Sequence, residues 1–406
     1  MAKYSTSRSG LKSNIGEPLR FAHPFITMVP VSKRKRVPGV GIRMIDHIKT
    51  KLEQIPKPHR TPTMALAEII GSAGVTAIEK TKSITFHAVG DTGNETSPMP
   101  ELIAEAMASD YDIAKPEISP AFFLHLGDVI YYNNTDKGYH AQFYVPYKNY
   151  PGKIIAIPGN HDGELFKWDG TSTGQKKTLD AFQNNFCQAK SGVPLAAGTI
   201  FREMISQPAV YWVLNAPLID IIGLYSNVAE NPGFISTTEI GQTQKDWLVK
   251  TLADIQKERQ KGNNKALIIA VHHPPITGGV GHGSSTEMLA DINDACNKSG
   301  IMPNAVLAAH AHNYQRFTRS VLFNGKKLQI PFVVCGSGGH GLTKVAAADK
   351  KKNGEYTFDK SLMAYGHLII SVTQKILTIQ FNQVDSGGKK KFYDKVTVDL
   401  KNNTLK

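Results

Sequence analysis

Leu126-Gly127-Asp128-Val129-Ile130-Tyr131 closes the apolar run 121–126 with a glycine turn, setting a carboxylate and, three residues later, a phenol at the mouth of a buried strand. Four more apolar runs end in residue types that bind metals. Run 84–89 precedes Gly90-Asp91, 154–157 precedes Gly159-Asn160, 266–271 precedes His272, and 306–309 precedes His310. Short apolar runs bounded by turn residues read as strands buried on both faces. In open α/β sheets, ligands gather beyond the carboxyl ends of such strands. The five ends therefore bring Asp91, Asp128, Tyr131, Asn160, His272, His310 and His312 towards one pocket.

A chain of 406 residues with 41% hydrophobic and 20% charged content fits a globular protein with a large core. Its net charge of +13 is unevenly spread. Residues 1–82 hold 15 Lys+Arg against 5 Asp+Glu, a surplus of 10, and the rest hold 32 against 29, a surplus of 3. The basic part, with Lys33-Arg34-Lys35-Arg36, reads as a solvated leader that can touch acidic surfaces. The nearly neutral remainder argues against a nucleic-acid binder. The division expected is a basic, partly disordered extension over 1–81 and a catalytic domain over 82–406. Cys187, Cys296 and Cys335 cannot all pair within one chain and lack Cys-x-x-Cys spacing, so reduced thiols and a cytoplasmic location are expected. No apolar leader or membrane-length run is read, since Pro24 and Pro30 break the stretch 21–31. The oligomeric state is not legible.

Along the chain, apolar positions at three- and four-residue steps predict a helix over 41–55, and a second begins at Thr61, with Pro62 in its first turn and Gly71 as a stop. A helix over 100–108 links two strands in a crossover unit. The stretch 209–224 reads as two strands about a turn, and 241–257 as an amphipathic helix. Stretch 331–335 is a buried strand, and 366–384 with 391–400 alternate as antiparallel strands.

Gly90-Asp91-Thr92-Gly93, Gly127-Asp128-Val129-Ile130-Tyr131, Gly159-Asn160-His161-Asp162, Val271-His272-His273-Pro274 and Ala309-His310-Ala311-His312-Asn313-Tyr314-Gln315-Arg316 follow one another in this order. The series resembles the calcineurin-like metallophosphoesterases, and within them the purple acid phosphatase branch. Over about 84–316 the resemblance implies an α/β protein, a four-layer α/β/β/α sandwich of two mixed β-sheets. It implies one metal ion on Asp91, Asp128, Tyr131 and His312 and a second on Asp128, Asn160, His272 and His310, with Asp128 bridging. Gly93 stands where the commoner motif has a histidine ligand, and Tyr131 is the branch's replacement. Ala309 departs from the glycine usual there. The resemblance gives His161 a role at the phosphoryl group or as an acid, and His282, ten positions after His272, a place facing the substrate. His273 reads as a strand-end neighbour, Arg316 as structural, His340 as a weak substrate contact, and His87, His125 and His140 as residues without a role.

The donor chemistry supports a mixed pair. Three anionic oxygens suit a ferric ion, whereas imidazole and amide suit Fe(II), Zn(II) or Mn(II). Such a pair, less its three anionic ligands, keeps about two positive charges, enough for a small phosphate ester and a metal-bridging hydroxide attacking phosphorus in line. The function expected is therefore hydrolysis of phosphate monoesters. A phosphodiesterase or nucleotide hydrolase on the same metals is the nearest alternative, and a non-catalytic interaction protein of the same fold is the alternative of another class.

Overall fold

A computed structural model describes residues 52–112, 114–167 and 169–406. In chain order its strands are β1 Thr63–Ala65, β2 Ser83–Val89, β3 Phe122–His125, β4 Lys153–Ala156, β5 Trp212–Asn215, β6 Ile219–Leu224, β7 Ala266–Val271 and β8 Ala305–Ala308. There follow β9 Tyr314–Phe323, β10 Lys326–Cys335, β11 Lys352–Asn353, β12 Tyr356–Leu362, β13 Gly366–Thr373, β14 Ile376–Val384, β15 Lys390–Asp399 and β16 Thr404–Leu405. They form a nine-stranded sheet, β1-β5-β6-β7-β8-β10-β9-β12-β11, and a seven-stranded sheet, β16-β15-β14-β13-β2-β3-β4. Both are mixed. In the first, β6, β7, β8 and β10 are parallel and β9 antiparallel; in the second, β2, β3 and β4 are parallel and β13 to β15 antiparallel.

Alternation along the strands explains the layering. Ile221, Ile268, Leu307 and Val333 join the larger core cluster, which also takes Phe86, Leu368 and Ile370 from the seven-stranded sheet. Their neighbours Ile222, Ile269, Val306 and Phe332 point the other way, onto Leu248 and Leu252 of the helix Thr243–Gln260 and Ile292 of the helix Thr286–Ser299. Successive residues of a strand face opposite sides, so a strand clothed on both must be apolar throughout. Each such side chain contributes roughly 1.5–3 kcal/mol by leaving water. This is the two-sheet sandwich expected. Among the described residues no helix is long and apolar enough to cross a membrane.

Local expectations fare unevenly. Helix Met99–Ala108 does carry the chain from β2 to its parallel neighbour β3. The helix expected over 41–55 lies outside the described residues up to 51, and residues 52–55 form no regular element. The helix expected from Thr61 starts later, at Ala67, and runs to Thr81. Before it, β1 pairs with β5 in parallel, and this long-range pairing overrides the local helix-start signal at Pro62. Gly71 does not stop the helix; it takes φ 72° and ψ 163°, a kink, and helix resumes behind it. Met64, Leu66, Ile69 and Ile78 are part of the main core. Residues 63–81 are thus built into the body of the fold.

Candidate metal centre

The parallel strands of both sheets end on one rim. Asp91, Asp128 and Asn160 follow β2, β3 and β4, while His272 and His310 follow β7 and β8. Tight turns carry three of these residues. Asp91, Asp128 and His310 have φ of 57°, 52° and 67°, a left-handed region that residues other than glycine seldom occupy. Such conformations cost on the order of 1–3 kcal/mol each and persist where surrounding structure over-determines them. Here the turns are tied to one another. Asp91 N donates to Gly127 O at 2.9 Å, Thr92 N to Asp128 O at 3.1 Å, and Gly90 N to Cys335 O at 3.0 Å. Asp91 Oδ2 accepts from His310 N at 2.7 Å, and Asp128 Oδ1 from His161 N at 2.9 Å. Asp162 adds a carboxylate that accepts from Val129 N and Gly159 N, pinning the third turn against the second.

The seven sequence-predicted residues do come together. Tyr131 donates to Asp91 Oδ1 at 2.9 Å, and its oxygen lies 3.1 Å from His312 Nε2. His272 Nε2 is 3.1 Å from Asp128 Oδ2 and 3.2 Å from Asn160 Oδ1. Ligand atoms of Asp128, His272 and His310 all lie within 4.8 Å of one another. Between the groups stands Asp128, fully buried.

The donor set fits a pair of ions on three counts. Asp128 Oδ2 and His310 Nε2 are buried with no hydrogen-bond partner among the described residues, an expense that a cation removes. His272 Nδ1 faces Leu126 O at 2.9 Å and His312 Nδ1 faces Gly341 O at 2.7 Å, so each ring can donate there and present Nε2 inward. Burial together with the charges of Asp91 and Asp128 raises the Tyr131 phenol well above its usual pKa, so it would give up its proton to water only where a strong cation takes the proton's place on the oxygen. Burial opposes the charges on Asp91 and Asp128, yet His312 and His272 outweigh it and hold both carboxyls low.

Glycine is required where the turns meet. A Cβ on Gly127 would stand 2.6 Å from His272 Nδ1, and one on Gly159 would stand 2.1 Å from Asp128 Oδ1. Gly159 has φ −94°, which any residue adopts, so the second clash is purely steric. Gly159→Ala is accordingly expected to push Asp128 aside and lower turnover by about a hundredfold or more, as misplacements near 1 Å do; full activity would show that the position of Asp128 is not critical. Ala309, the departure from the family pattern, is accommodated because a Cβ on Gly90 would lie 2.5 Å from its methyl. Gly90 leaves the space that Ala309 fills.

Around these seven residues stand further imidazoles. His161 Nδ1 is 2.9 Å from Glu164 Oε2, and its Nε2 lies 4.0 Å from Glu230 Oε2. Burial disfavours its charge, but Glu164 and Asp128 prevail and hold its pKa well above the ordinary value. His282 is buried with its ring 4.6 Å from that of His310 and 5.3 Å from that of His312. Burial and the charge of His312 lower it to about 4, so it is neutral. His340 stacks on Tyr131 with ring centres 3.5 Å apart and is held by Gly93 O. His273 is spoken for by Ser226 Oγ and Ala229 O, and Arg316 by Asp394 and Asp359, in keeping with structural roles. His125 lies between Thr92 Oγ1 and Gly127 N, and His140 rests on Ala196 O.

Two acidic residues escaped the sequence reading. Glu164 follows His161 by three positions, a spacing that puts both on one face of a helical turn, so a signal existed. Glu230, which accepts from Asn160 Nδ2 at 3.2 Å, comes from an irregular loop 70 positions away and carries no local signal.

Comparison with known proteins gives the family. The model of the calcineurin-like phosphoesterase family matches residues 84–314, more than half of the chain. No curated protein matches. Among solved structures, a purple acid phosphatase from yellow lupin (Lupinus luteus) seeds is similar at 15% identity and a TM-score of 0.53, covering 78% of this chain and 54% of its own. The chain thus spans about half the length of the lupin protein. The anchor in the inner membrane complex of Plasmodium is similar at 11% identity and a TM-score of 0.52, covering 79% of this chain and 91% of its own. At such identities the likeness concerns the fold, and the family rests on the matched model and the ordered motifs it spans. The chain belongs to the calcineurin-like phosphoesterase family.

Proposed function

We propose that the protein is a dinuclear metal-dependent phosphomonoesterase of purple acid phosphatase type, with residues 82–406 as its hydrolytic unit and 63–81 packed into the same core. The observation that carries this reading is the convergence of two carboxylates, a phenol, an amide and three imidazoles on one rim, with Tyr131 beside Asp91 and His312. Asp91, Tyr131 and His312 would hold a ferric ion, Asn160, His272 and His310 a divalent ion of iron, zinc or manganese, and Asp128 both. Bound there, the pair supplies an acidified water and neutralises charge on the phosphoryl oxygens.

The chain's own residues do the rest. His161, kept cationic by Glu164, offers its other ring nitrogen to a phosphoryl oxygen or to the departing alkoxide, which needs a proton. His282, neutral, contacts the ester from the side of His310 and His312. Asn160 is steadied by Glu230, which accepts from its amide and leaves the amide oxygen facing inward.

His161→Ala is expected to lower kcat by about 10²–10⁴ while bound metal stays constant. The same preparations measured on an aryl phosphate monoester and its diester should prefer the monoester; a preference for the diester reverses the order of substrates. A non-catalytic interaction role on the same fold is disfavoured because all seven ligand positions are filled.

A further inference from the structure

A second group of metal-ligating side chains lies away from the rim. On β13, Ile369 stands opposite His87 of β2, so His87 and His367, two residues along, project from one face of the seven-stranded sheet. Asp110, just past the helix Met99–Ala108, reaches between them. Its Oδ2 is 3.1 Å from His87 Nε2 and 3.6 Å from His367 Nε2. The two rings are nearly perpendicular, at 87° and 5.3 Å between centres. Both histidines are fully buried.

His367 is the anomaly. Neither of its ring nitrogens makes a hydrogen bond of normal length among the described residues, Nε2 coming only to 3.6 Å of Asp110 Oδ2. A buried polar group left so costs on the order of 1–3 kcal/mol, and native proteins rarely tolerate one without a ligand or function. Burial also lowers it to about 4, so the ring is neutral, the form that binds metal. The other two groups are oriented as ligands would be. His87 Nδ1 lies 3.0 Å from Tyr150 Oη, which Tyr111 in turn supports at 2.9 Å, so a proton placed on Nδ1 leaves Nε2 free. Lys390 Nζ holds Asp110 Oδ1 at 2.5 Å and is itself tied to Ala106 O and Ser109 Oγ, which turns Oδ2 towards the imidazoles.

We propose that His87, Asp110 and His367 form a mononuclear site for a divalent transition ion of the zinc class, separate from the dinuclear centre. Two imidazoles and one carboxylate are a common zinc donor set, and bonds of about 2.0–2.2 Å place such donors roughly 3–3.6 Å apart. The distances from Asp110 fall in that range. The ion would clamp β2 and β13 to the end of the helix, with Asp110, 22% exposed, marking its way in. Lys390 balances Asp110 when no ion is present, so it weakens the site without closing it.

The test counts zinc. Full-length wild type, His367→Ala and Asp110→Asn are stripped with a chelator, dialysed against zinc chloride and assayed by mass spectrometry for zinc per chain. Each variant is expected to hold one equivalent less than wild type, and the variants as purified, before stripping, to retain phosphatase activity. Because this is a difference between proteins sharing the same rim, it stands or falls independently of how many ions the dinuclear centre takes. Equal zinc in wild type and variants overturns the proposal. So does loss of the remaining ions as well, which would make the triad a mere brace. Asp110→Asn keeps the shape of a partly exposed side chain and guards against misfolding of the buried histidine variant.

Discussion

Asp128→Asn abolishes turnover and metal binding together: we expect a rate loss of at least about 10³, the equivalent of ~4 kcal/mol, and protein purified without its ions. The amide keeps the size of the carboxylate and an oxygen that can still accept from His161 N. What it loses is the charge, and with it the bridging donor. Asp128 Oδ2 is buried with only His272 Nε2 beside it, at 3.1 Å, so the group is arranged for a cation. Metal analysis beside a phosphatase assay checks this; near-normal turnover with full metal content would place the chemistry elsewhere.

Tyr131→Phe bleaches the protein. A phenolate bound to ferric iron absorbs visible light, so the wild type is expected to be coloured and the variant to lose that band entirely, with activity falling on the order of a hundredfold. The substitution is clean because the ring is packed independently of its hydroxyl. It stacks on His340 at 3.5 Å and touches His161 at 4.4 Å, contacts that phenylalanine keeps. Only the oxygen beside Asp91 and His312 goes. A variant that keeps its colour would remove Tyr131 from the ligand set. A colourless, active wild type carrying two divalent ions would refute the ferric assignment and leave hydrolysis intact.

The rim was legible because each of its turns follows an apolar run. β7 reads Ala-Leu-Ile-Ile-Ala-Val and is buried at every position, so its end, and His272 after it, could be placed from sequence alone. The same holds for β3, β4 and β8, and for β2 from Phe86 to Val89. Other features depend on partners that are distant in the chain. β1 is three residues long and exists because β5 offers an edge about 150 positions later. The helix Thr286–Ser299, with Met288, Ile292, Ala295 and Cys296 on its buried face, was obscured by the glycine-rich stretch 278–283 before it. Glu230 enters the site from an irregular loop, where neither period nor spacing marks it. His87 read as a residue without a role because its companions Asp110 and His367 are 23 and 280 positions away; only the pairing of β2 with β13 brings them together.

In the proposed centre, side chains from both sheets share two ions across one carboxylate. Anomalous diffraction from crystals of the metal-loaded protein, measured above and below the iron edge, tests it most directly. Two peaks about 3.5–4 Å apart, both within bonding reach of Asp128, with iron on the side of Asp91, Tyr131 and His312, are the result expected. A lone peak away from Asp128, or none at the rim of a fully active enzyme, would contradict it.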